Sequence, residues 1–68
     1  GARLTADEQV AHTLPANRAA WIQVVRGGIA LNGQLLSAGD GAAITATPEL
    51  VIQGQSDDAE ILLFDMAA

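Results

Sequence analysis

Apolar residues in this chain recur in short runs cut by Gly, Pro, Asn and Asp, and no segment keeps them at helical spacing over several turns. That pattern predicts strands. Ala2-Arg3-Leu4 reads as the end of a strand cut off at its start, and Thr5 to Glu8 as a polar turn. Val10 to Leu14 predicts a strand with Val10, His12 and Leu14 on one face. Pro15-Ala16-Asn17-Arg18 breaks it, because proline lacks the amide donor and asparagine accepts turn geometry.

Ala20 to Val25 carries the strongest strand signal. Ile22 and Val24 share one face, Trp21 and Val25 the other with Gln23 between them; a strand apolar on both faces is normally covered on both. Gly27-Gly28 turns the chain into Ile29-Ala30-Leu31, and Asn32-Gly33 predicts a type I′ hairpin into Gln34-Leu35-Leu36. Ser37 to Gly41 reads as a corner. Ala42 to Ala46 follows as a strand of small residues suited to a crowded interior, ended by Thr47-Pro48. Leu50 to Gln53 and Ala59 to Phe64 complete the set, separated by Gly54 to Asp58. Short strands with turns at such regular intervals predict an all-β sandwich or barrel, with residues 1–68 as a single domain.

Composition narrows the function. The net charge is −5, from eight acids against three arginines and no lysine. This argues against nucleic acid, which is bound through clustered Lys and Arg, and against anionic membrane surfaces. Half of the residues are hydrophobic and only 16% charged, a low charge content for a small domain, so either the core is unusually efficient or some apolar surface meets a partner. With no cysteine there is neither a disulfide framework nor a thiolate zinc site. No apolar run is long enough to span a bilayer, and nothing near Gly1 reads as a signal peptide, so a cytoplasmic location is expected.

Candidate chemistry is sparse. A metal site needs several converging ligands, and His12 is the only histidine, so it is read as a strand residue that packs its ring and hydrogen-bonds its nitrogens. Asp57, Asp58 and Glu60 form an acidic cluster that matches no EF-hand loop and reads as a solvated turn. Gly39-Asp40-Gly41 lacks the Lys and Ser or Thr of a phosphate loop; Asp40 is expected to accept hydrogen bonds from nearby amides. Arg18 and Arg26 read as surface charge or as partners of the acidic cluster. Glu60 and Asp65, an odd number of positions apart, point to opposite faces of a strand and make no catalytic pair. Ser37 and Ser56 read as turn residues, since no base is placed beside either. Trp21 and Phe64 read as core or interface packing.

Val10-x-His12-x-Leu14, Arg18, Ala20 to Gly27, Leu31-Asn32-Gly33, Gly39 to Ile44 and Glu60 to Asp65 together resemble the C-terminal cupin domain of bacterial pirin-like proteins, bicupins with quercetin 2,3-dioxygenase activity in some members. The resemblance covers nearly the whole chain. It implies a cupin-type jelly-roll of short antiparallel strands, incomplete on its own and paired with an N-terminal cupin that holds iron or another divalent metal. It also implies where a metal-holding cupin would carry its ligands. Counted from Gly27, the Glu position falls on Ala20; counted from Gly39, the late His position falls near Leu50; the H-x-H pair would fall around Thr13 to Ala16. None of these is a ligand. No catalytic, cofactor-binding or metal-binding residue is therefore expected in this chain.

The expected role is a metal-free structural or interaction domain that packs against a catalytic N-terminal cupin. The alternatives are a component of a quercetin 2,3-dioxygenase whose metal lies on the other barrel, or a small-molecule binding module using the barrel interior around Trp21. The expected partners are an N-terminal cupin or a second copy in a dimer, with a flavonoid as ligand of the parent.

Overall fold

The computed structural model describes residues 2–68, with Ala2 described by its backbone alone. Eight strands form: β1 (Ala2–Leu4), β2 (Gln9–Thr13), β3 (Arg18–Arg26), β4 (Gly28–Leu31), β5 (Gln34–Ser37), β6 (Gly41–Ile44), β7 (Glu49–Gly54) and β8 (Ala59–Ala67). They make two four-stranded sheets in the orders β1-β8-β3-β6 and β2-β7-β4-β5. Every pairing is antiparallel. The all-β class follows from the pattern, and no helix occurs among the described residues.

Directly opposed residues of neighbouring strands share a face. The first sheet turns Ala20, Ile22 and Val24 of β3 inward beside Ile61 of β8; the second turns Ile29 and Leu31 of β4 inward beside Leu50 and Ile52 of β7. These residues join one buried cluster between the sheets. Ile22, Ile29 and Leu50 are fully buried, and each such side chain contributes about 1.5–3 kcal/mol of transfer free energy.

The β4–β5 hairpin has the expected turn. Asn32 and Gly33 both take positive φ, 47° and 85°, as type I′ geometry requires. Asn32 does more than tolerate the turn. Its side-chain Oδ1 accepts from the Val51 amide at 2.7 Å and its Nδ2 donates to the Glu49 carbonyl at 3.3 Å, while its own amide donates to the Val51 carbonyl. The side chain thus carries the β4–β7 ladder past the end of β4.

Four elements depart from the sequence pattern. β3 begins at Arg18, where the sequence pattern predicts a turn, because β8 runs on to Ala67 and pairs with it, Arg18 opposite Ala67. β8 likewise extends past Phe64. β6 ends at Ile44 and is an edge strand rather than a crowded interior one: Ala43 is exposed, and Ala42 and Ile44 are half-buried. Ala46 ends that segment in the left-handed region, φ 54°. Val10 is largely exposed although it shares a face with buried Leu14, since β2 borders its sheet. A bulge between Val24 and Arg26 leaves Val25 unpaired and sets Arg26 opposite Glu60.

Candidate functional site

The polar side chains that meet between the sheets are His12, Arg18 and Asp65. His12 lies on β2 of the second sheet, Arg18 and Asp65 on β3 and β8 of the first. Arg18 Nε donates to Asp65 Oδ1 at 2.8 Å, and His12 Nε2 lies 3.2 Å from Asp65 Oδ2. A carboxylate can only accept, so Nε2 carries the proton of this bond. Hydrogen bonding from Arg18, and next from His12, holds the Asp65 carboxyl below the ordinary range; partial desolvation opposes this more weakly. All three side chains are about one-third exposed. Arg18 therefore pairs with Asp65, away from the acidic cluster, and His12 makes the hydrogen bond expected of a strand histidine.

This trio adjoins the positions where a cupin would carry ligands. Asp65 is the cross-strand partner of Ala20, and His12 the cross-strand partner of Leu50. Ala20, Leu50 and Leu14 are themselves buried members of the apolar cluster. A divalent metal needs carboxylate, imidazole or thiolate donors, and methyl and isobutyl groups supply none. The third polar neighbour, Arg18, is a cation and would repel a metal ion. Among the described residues no group of three or more His, Cys, Asp or Glu side chains converges as a ligand set. The residues present do not fit the metal that the cupin resemblance implies for the partner barrel.

The remaining candidates serve turns and surface pairs. Asp40 Oδ2 accepts from the Ser37 amide at 2.9 Å and from its hydroxyl at 3.3 Å, closing the corner before β6. Ser56 Oγ accepts from the Gly28 amide at 3.1 Å, pinning the β7–β8 turn to the start of β4. Arg26 pairs with Asp58 at 3.2 Å, and Arg3 reaches Asp58 and Glu60 at 3.8 and 4.0 Å. These pairs are exposed, and such pairs contribute at most about 1 kcal/mol each. Asp57 joins none of them.

Trp21 corrects one expectation. It faces outward from the first sheet, opposite Phe64 on β8 and Ala43 on β6, so no barrel interior surrounds it. Its ring lies across Gly41, where a β-carbon would collide with Trp21 Cζ2. Two open clefts of about 300 Å³ flank Thr47, one walled by Leu31, Gln34 and Ala42, the other by Leu14, Ala16 and Pro48; neither carries a charged side chain or Trp21. What sequence reasoning missed was the meeting of His12 with Asp65 and the reach of Asn32 to Val51. Both join residues far apart in the chain, and no local spacing announces either.

Residues 1–66 match the model of a family described as the quercetinase C-terminal cupin domain. The chain is 44% identical over 63 residues to quercetin 2,3-dioxygenase from Escherichia coli K12, and equally so to that from Escherichia coli O157:H7. Each match covers 93% of this chain and 27% of the relative, so the chain spans about a quarter of their length. The crystal structure of bacterial pirin YhhW from Escherichia coli in complex with nickel(II) superposes with a TM-score of 0.90 at 43% identity, over 96% of this chain and 28% of that one. A second crystal structure of YhhW gives 0.89 at 44% identity, over 94% and 27%. The chain belongs to the quercetinase C-terminal cupin domain family of the pirin-like proteins.

Proposed function

We propose that residues 1–68 are the metal-free C-terminal domain of a two-barrel protein, and that the domain packs against a catalytic N-terminal cupin. The observation that carries this reading is the chemistry at the ligand positions. Ala20 and Leu50 are buried among aliphatic side chains, and the polar groups beside them close on one another as Arg18–Asp65–His12. This hydrogen-bonded clasp joins the sheets beside Ala20 and Leu50, the positions that would carry a cupin's ligands.

Metal analysis of the purified 68-residue chain tests the reading. It should hold less than stoichiometric iron, copper, zinc or nickel after dialysis. Any of these bound one to one would overturn it.

A second reading concerns the parent. The relatives named quercetin 2,3-dioxygenase favour a protein that oxygenates a flavonol at the other barrel. On this reading the present chain contributes no reacting group. Oxygen uptake with quercetin should appear with the full-length protein and vanish with this chain alone. Uptake by this chain alone would refute the assignment of catalysis to the other barrel.

A further inference from the structure

The outer face of the first sheet carries an exposed apolar patch. Its rungs pair Ala19 with Met66, Trp21 with Phe64 and Gln23 with Leu62, and Ala43 and Gly41 flank them on β6. None of these side chains is charged; the charged residues of the same face, Arg3, Arg26 and Glu60, gather at its β1 end, where Glu60 opposes both arginines. The one polar member of the patch, Gln23, has its amide nitrogen tied to the carbonyls of Gly39 and Asp40 at 3.2 and 3.1 Å, so it lies down along the sheet. Trp21 is 38% exposed, Met66 42% and Phe64 52%. Gly41 lets the Trp21 ring lie flat across β6 instead of projecting. The outer face of the second sheet contrasts with this. Gln9 and Thr13 on β2 and Glu49 and Gln53 on β7 interrupt its apolar positions.

An uncharged, aromatic-bearing patch bordered by charged residues has the composition of an interface core and its rim. We propose that this face is where the domain docks, and that its occupant is the N-terminal barrel of the same polypeptide. The proposal rests on the two-barrel reading above and deepens it by naming the surface. The length of the relatives favours that occupant. The relatives are nearly four times as long as the matched region, and the family places this domain at their C-terminus. The occupant must present an uncharged apolar surface. Trp21 and Phe64 would be its anchors, since aromatic side chains carry the largest share of such interfaces.

Hydroxyl-radical footprinting of the intact full-length protein tests the proposal, because Trp, Phe and Met are reactive probes and all three lie on the face. After correction for intrinsic reactivity, Trp21, Phe64 and Met66 should be protected about tenfold relative to Leu35 on the outer face of the second sheet, as water exclusion at a packed interface requires. Phe64→Lys in the same protein should restore reactivity at Trp21 and Met66, whereas Leu35→Lys should leave the pattern unchanged. Equal reactivity of both sets would overturn the proposal. Protection of Leu35 instead would overturn the choice of face while leaving the two-barrel reading intact. Protection that disappears on dilution of the full-length protein to monomer would make a second copy the occupant and overturn it too. A metal found on this chain would overturn the earlier reading without altering the footprint.

Discussion

Asp65 of β8 and His12 of β2 stand 3.2 Å apart, and among the described residues theirs is the one side-chain hydrogen bond that joins a strand of the first sheet to a strand of the second. Arg18 completes the clasp from β3. Elsewhere between the sheets the contact is apolar. Hydrophobic contact is non-directional, whereas a hydrogen bond fixes relative position. The clasp therefore sets how the two sheets register at this end.

The first prediction concerns acid stability. Asp65 binds its proton less tightly folded than unfolded, so its contribution is fully present above the ordinary Asp value of about 3.9 and is lost as pH falls through the lower folded value. Thermal midpoints measured from pH 6 down to pH 2, a range set about that value, should fall more steeply for the native chain than for Asp65→Asn. Superimposable acid limbs would show that the Arg18 and His12 bonds do not stabilise the folded carboxylate.

A second prediction addresses the core position that replaces a ligand. Leu50 is fully buried, so Leu50→Ala should cost about 2–5 kcal/mol by lost transfer energy and a residual cavity. Urea unfolding would read this as a lower midpoint with an unchanged slope. A cost below about 1 kcal/mol, the scale of a surface change, would mean that Leu50 is not packed as described.

Asn32 separates two effects. Asn32→Gly keeps the positive φ and loses only the side-chain bonds to Val51 and Glu49, a cost of about 1 kcal/mol. Asn32→Ala loses those bonds and also strains the turn, by about 1–2 kcal/mol more. Chemical denaturation of both variants should rank native, Gly, then Ala; the reverse order of the two variants would refute the turn assignment.

Ala46 offers a gain. It holds φ 54° without a side chain that stabilises that geometry. Ala46→Gly should raise stability by about 0.5 kcal/mol, the relief of strain exceeding the added freedom of the unfolded chain. A differential scanning experiment should show a midpoint higher by a few degrees, and a lower midpoint would argue against strain at this residue.

Much of the architecture was legible in the residues. The alternation in Ile22 and Val24, the turn at Asn32-Gly33 and the Asp40 corner each follow from local chemistry that neighbours along the chain determine. The strand ends were less legible. Arg18 joins β3 and Met66 joins β8 because each strand extends the other, and pairing across the sheet overrode the turn signal of Pro15 to Asn17.

The sequence by itself determined the all-β class, the positions of most turns and the apolar residues at the cupin ligand positions, because period, turn chemistry and residue type are local properties. Tertiary structure alone decided which faces those residues occupy in space. It turned Trp21 outward beside Phe64, set Ala20 and Leu50 in one core, and closed Asp65 onto His12. Those relationships depend on which strands become neighbours and which sheet faces which. Such pairings lie across tens of residues of chain, so side-chain period can say that a strand has two faces but not what each face will meet.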